Sequence, residues 1–160
     1  MGKTEITATP GVPRIVVERE FDAPVDLVFR AYSEPDLLAR WLGPRELTMT
    51  VDRYETTDGG RWRFVHTEPD GREHGFHGVF HGTPSPAGGI VRTFEYEGVP
   101  GHVSLETTAL EARGDRTLVR EISSFQSVED RDAMVASGME RGVHDSHERL
   151  TELLSALQPR

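Results

Sequence analysis

EDRDAMVASGMERGVHDSHERLTELLSAL, residues 129–157, is the one long stretch of the chain with sustained helical periodicity. From Met139, apolar or small residues recur at Val143, Ser146, Leu150, Leu153 or Leu154, and Leu157, the spacing that lines one face of a helix. Glu140, Arg141, His144, Asp145, Glu148, Arg149 and Glu152 fill the opposite face. At about 1.5 Å per residue, a continuous helix over 129–157 makes a rod of about 43 Å, long enough to cross a small domain. Gly138 and Gly142 stand one turn apart in its leading half, where alanine is better by about 1 kcal/mol per site. Two readings of the missing side chains stand open: close approach of a sheet backbone, or room for a molecule beneath the helix.

The chain ahead of this helix supplies the surface it must cover. Residues 14–22 alternate as a first strand with Ile15, Val17 and Phe21 on one side. Pro24 opens a helix whose face carries Val25, Val28, Phe29 and Tyr32, and Pro35 opens a shorter turn carrying Leu37, Leu38 and Trp41 and stopped by Gly43-Pro44. From Leu47 the apolar period falls from 3.6 to 2. Turn residues such as Asp58-Gly59-Gly60, Pro69-Asp70-Gly71 and Arg113-Gly114-Asp115 delimit six strands near 47–55, 61–67, 73–83, 90–97, 102–112 and 116–125. These elements bury their apolar faces together only if a curved, seven-stranded antiparallel sheet wraps the last helix, which is an α+β architecture. Residues 1–13 are predicted to form a flexible arm and 14–157 a single domain.

Composition narrows the function. A chain of 160 residues supports one core, and no apolar run approaches the roughly 20 residues that span a bilayer. The opening MGKTEITATPGVPR has no apolar signal region, which predicts a cytoplasmic protein. The absence of cysteine removes disulfides, thiolate metal sites and thiol nucleophiles. A net charge of −9 with scattered basic residues disfavours nucleic acid. There is no nucleophile elbow, phosphate loop or dinucleotide fingerprint, so hydrolase, kinase and dehydrogenase chemistry has no residues to stand on and no cofactor is called for.

Alternation assigns the inner face. Trp62, Phe64 and His66 share one side of their strand, Phe76, Gly78 and Phe80 one side of the next, Phe94 and Tyr96 a third, and Val103 and Leu105 a fourth. These rings either pack together as core or line a ligand cavity with Trp41 below and Met139, Gly142 and Val143 above. Arg92 and Arg120 fall in inward register with apolar neighbours while Glu95, Glu97, Glu106 and Glu121 alternate outward. Either arginine is then an anchor for an acidic or phenolic group of a ligand, unless a bulge turns it to solvent. His74, His77 and His81 do not make a metal site on a strand, because His74 and His77 face opposite ways and His77 and His81 lie about 13 Å apart. His66, in inward register, is a core histidine or a polar group within the cavity.

The run APVDLVFRAYSEPDLLARW (23–41), Arg40-Trp41-Leu42-Gly43-Pro44, Gly59-Gly60-Arg61-Trp62-Arg63-Phe64, Phe76-x-Gly78-x-Phe80 and Gly138-x3-Gly142 followed by ERLTELL together resemble the SRPBCC superfamily. Within it they are most similar to the bacterial branch related to the activator of the ninety-kilodalton heat-shock chaperone ATPase. The resemblance covers about residues 14–157 and implies the helix-grip fold also seen in START lipid-binding domains. Its members include lipid carriers, polyketide cyclases and aromatases, self-resistance proteins and chaperone regulators, so the fold implies no single activity. Gly82 and Glu55 stand where many relatives carry Glu and Asp, so roles tied to those carboxylates do not transfer. The expected function is binding of a small, largely apolar molecule, aromatic or polyketide-like, by a monomer or homodimer that neither binds nucleic acid nor inserts in membranes. The alternatives are a cyclase-like enzyme, using His66, Tyr54 or Tyr96, and a module acting on a chaperone.

Overall fold

The computed structural model describes residues 2–159. Its elements are β1 (Glu5–Thr7), β2 (Arg14–Phe21), α1 (Val25–Ser33), α2 (Pro35–Leu38), β3 (Thr48–Tyr54), β4 (Arg61–Thr67), β5 (Glu73–Val79), β6 (Ile90–Tyr96), β7 (Val103–Arg113), β8 (Arg116–Ser124), α3 (Val128–Ala136) and α4 (Met139–Leu157). The strands form one antiparallel sheet in the order β1-β2-β8-β7-β6-β5-β4-β3, and α4 crosses its concave side.

Three features depart from the reading of the sequence. The sheet has eight strands rather than seven, because residues 5–7 of the expected arm pair with Val16 to Glu18. Three residues carry too little pattern to read as a strand. The helix over 129–157 is two helices: α3 ends at Ala136 with Ser137 as its cap, and Gly138 turns the chain at φ +86°, a left-handed conformation open to glycine, before α4 begins. Periodicity failed here because α3 buries Arg131 rather than an apolar stripe. Thirdly, β7 and β8 present the other face. Leu105 is 45% exposed while Ser104 is buried, and on β8 Thr117 and Val119 are buried. The Arg120 side chain is 54% exposed beside Glu18.

The helical layer locks locally. Pro35 forces the preceding Glu34 into extended backbone, so α1 and α2 meet at a corner. Trp41 then reaches back, its indole N–H donating to the Ala31 carbonyl at 2.9 Å and its ring standing edge-on to Tyr32. Trp41, Phe21, Val28, Trp62, Phe80, Val119 and Leu150 form the buried core, each such side chain contributing about 1.5–3 kcal/mol. Met139, Val143 and Leu150 lie along the sheet-facing side of α4, as its periodicity predicts.

Candidate functional site

The core does not close beneath the first half of α4. A cavity of about 290 Å³ remains between that helix and the sheet. Met139, Gly142 and Val143 roof it, Phe64, His66, Phe76 and Phe94 form its aromatic wall, and Trp41 lies at its base. Small side chains leave it unfilled: Gly142 and Ser146 on the helix, Thr108 and Ser123 on the strands. A Cβ added at Gly142 would meet only the Pro44 ring, at 3.7 Å.

Nine of the residues expected to bind ligand line this space, and four do not. Trp62 and Phe80, 1% and 0% exposed, stand behind the wall as core. Leu105 and Arg120 point to the far side of the sheet, because the inward positions of their strands are Ser104, Glu106 and Thr108 on β7 and Thr117, Val119 and Glu121 on β8. The expectation that Glu106 and Glu121 face outward is thereby reversed.

Those two carboxyls set the chemistry of the deep end. Arg92 and Glu106 are directly opposed in the β6–β7 register, and the guanidinium meets the carboxylate at 3.2 Å. Arg92 also lies over the Trp62 ring, 4.2 Å from its centroid, which adds a cation–π attraction. Its positive charge is thus already matched. Glu121, opposite Thr108 on β7 and Val17 on β2, has no ion-pair partner among the described residues. Burial, and then the charge of Glu106, push its carboxyl up to about 7. The Tyr32 hydroxyl stands beside it, buried and with no completed hydrogen bond, and burial followed by the Glu121 charge holds the phenol well above its ordinary value. Tyr54 is spoken for, donating to the Tyr32 carbonyl at 2.7 Å.

At the other end, His66 packs against Gly43, whose φ of +103° and absent Cβ make room for the imidazole. The Gly43 amide donates to the Ser146 hydroxyl at 2.8 Å, and Arg149 donates to the Gly43 and Arg40 carbonyls, so α4 clamps this loop. Burial lowers the His66 imidazole to about 4, and its Nε2 has no partner among the described residues. His147, also lowered to about 4 chiefly by burial, pairs through Nδ1 with the Thr4 hydroxyl at 2.8 Å. Beyond Phe76 and Phe94, which are shared walls, a second space of about 470 Å³ opens beneath α3, bounded by Ala133 and Met134. His74 and Tyr96 line that outer space and are tied to each other at 2.9 Å. His77 faces the opposite way, onto Glu97 at 2.8 Å. Among the described residues no three His, Asp or Glu side chains converge as metal ligands, and no helix is long and apolar enough to cross a membrane.

Hydrophobic alternation concealed Glu106 and Glu121 because it assumes that inward means apolar. The available signal was the turn at Gly114-Asp115: pairing Arg113 with Arg116 places Thr108 opposite Glu121 and Glu106 opposite Ser123, on one face.

Residues 22–155 match the family described as "Activator of Hsp90 ATPase homolog 1-like protein". Among solved structures, a protein from Rhodobacter sphaeroides is 30% identical, with a TM-score of 0.86 over 96% of this chain and 100% of its own. A protein from Arthrobacter aurescens is 28% identical, with a TM-score of 0.86 over 95% and 91%. DynU16, of the dynemicin biosynthetic locus, shares the fold at 22% identity and a TM-score of 0.69, over 92% of this chain and 49% of its own. No curated protein matches.

Proposed function

The chain belongs to the Activator of Hsp90 ATPase homolog 1-like family, of the helix-grip SRPBCC type, and from that premise we propose that it binds a small, largely apolar molecule, aromatic or polyketide-like, between α4 and the sheet. The observation that carries this reading is the unfilled cavity of about 290 Å³ walled by Phe64, Phe76 and Phe94. A core selected only for stability would fill such a space, since voids of this size forfeit packing at about 24 cal/mol per Å³. The wall suits planar rings: Phe64 and Phe76 lie 5.5 Å apart and Phe76 and Phe94 5.3 Å apart, tilted rather than closed upon one another. The outer space beneath α3 supplies a continuation for a longer ligand or a path of entry. DynU16 lends the reading a shared fold and no more.

Calorimetric titration with tetralin, a two-ring hydrocarbon, tests the proposal with Gly142→Leu as the control. Leucine at this position projects into the cavity and is better in a helix than glycine by about 1 kcal/mol. The expected result is saturable binding to the natural chain, loss of binding in the variant and a melting temperature that does not fall. Absence of tetralin binding, or equal binding by the variant, counts against the site.

A further inference from the structure

The apolar wall explains why rings enter the cavity, and, resting on that reading, its deep end specifies what they carry. Tyr32 is 6% exposed, and its hydroxyl stands at the cavity beside Glu121 without completing a hydrogen bond among the described residues. Leaving a buried donor unpaired costs about 1–3 kcal/mol, so a persistent orphan at a cavity wall marks a place for a ligand atom. Glu121, beside Tyr32 on the same wall, has no ion-pair partner among the described residues, whereas the other orphaned atom of the cavity, His66 Nε2, lies at the opposite end. Arg92 is matched, because Glu106 holds its guanidinium and Trp62 supports it from below.

We propose that the deep end is a subsite for a carbonyl oxygen, in which the Tyr32 hydroxyl and the carboxylic acid of Glu121 donate together to the ketone of an aryl-ketone ligand. A ketone accepts two hydrogen bonds and brings no charge, which matches two donors in a pocket where the charges of Arg92 and Glu106 already cancel. A ligand carboxylate would have to shed its water beside Glu106 with no free cation among the described residues to receive it, and an ammonium would have to settle beside Arg92.

Protonation of Glu121 is integral to this assignment. The groups that act on it directly are Glu106 from β7, Tyr32 from α1 and Arg92 from β6; Tyr54 from β3, His66 from β4 and His147 from α4 share the cavity lining, and β2 contributes the hydrocarbon of Ile15 and Val17. Burial and the Glu106 charge keep the proton on Glu121 up to about pH 7. Above that pH the acid stops donating and the pair of donors becomes one.

The probes are 1-tetralone and tetralin, which differ chiefly by one carbonyl. At pH 6 the ketone is expected to bind about tenfold more tightly, a net gain typical of a buried hydrogen bond. Between pH 6 and 8.5 that advantage should shrink several-fold while tetralin affinity holds, with proton uptake on ketone binding near pH 8. Glu121→Gln keeps a donor and loses the titration, so its preference for the ketone should persist independently of pH. Tyr32→Phe breaks no completed hydrogen bond among the described residues and should reduce the preference in a folded protein. The subsite is overturned if the natural chain binds both probes equally at pH 6, if its ketone preference ignores pH, or if His66→Phe removes that preference and Tyr32→Phe does not. Failure of both probes to bind at pH 6 overturns the ligand-binding reading itself, and the subsite with it.

Discussion

Glu121→Gln should stabilise the protein in alkaline solution and leave it nearly unchanged in acid. The carboxyl titrates near 7 in the folded chain, raised by burial and by Glu106 from an ordinary value of 4.5. Between those values the folded state holds a proton that the unfolded state has released, so stability falls as pH rises from 4.5 through 7 and then levels. Raising the carboxyl from 4.5 to about 7, at about 1.36 kcal/mol for each pH unit, makes the loss about 3 kcal/mol. Glutamine resembles the neutral acid at every pH and escapes the loss. Urea denaturation of both proteins at pH 5, 6, 7 and 8 should give a stability difference that starts near zero and climbs to about 3 kcal/mol, or roughly 6–12 °C in melting temperature for a chain of this length. Other titrating groups cancel in the difference. Curves that stay parallel across this range would refute the claim that Glu121 is partly buried without a cation of its own.

Arg92→Met removes the guanidinium and leaves Glu106 facing Glu121. It should cost about 3 kcal/mol at pH 8 in urea denaturation, with much of the loss recovered by adding Glu106→Gln. An unshifted midpoint in the single variant would deny the ion pair any role. On the acid side, His66 and His147 are both held near 4 and are neutral when folded, so their contribution is present above about pH 6.5 and is lost as pH falls toward 4. His66→Phe should therefore flatten the acid limb of the stability profile by up to about 3 kcal/mol, measured as the difference from the natural chain between pH 6.5 and 4.

The legible parts of the molecule were those where burial and hydrophobicity coincide. On β4, Trp62, Phe64 and His66 alternate with Arg61, Arg63, Val65 and Thr67 and are buried as that pattern requires. The α4 stripe through Leu150 and Leu154 is equally plain. Sequence reading failed where the interior is polar by design of the site. Ser104, Glu106 and Thr108 point inward while Leu105 points out, so a hydrophobic count selects the wrong face, and the same count on β8, through Leu118 and Ile122, turned Arg120 inward and Glu121 outward. Gly138 was visible as a weak helix former, yet its left-handed φ is a choice of backbone that its neighbours do not announce. The aromatic wall was therefore within reach, and the groups that give it selectivity were not.

The pairing of β2 with β8 bears on the order in which the molecule assembles. The strands from β3 to β8 succeed one another as a meander, so each finds its partner nearby along the chain, whereas Arg14 must meet Ser124 across more than a hundred residues. The entropy of closing so long a loop favours forming that seam after the hairpins. Glu121 sits on it, opposite Val17, and loses its water only when the seam shuts. A penalty incurred after the rate-limiting barrier falls on the return journey. The ionised carboxyl is thus expected to shorten the lifetime of the native state while scarcely altering how fast that state is reached, and Glu121→Gln at pH 8 should slow unfolding with little change in the refolding rate.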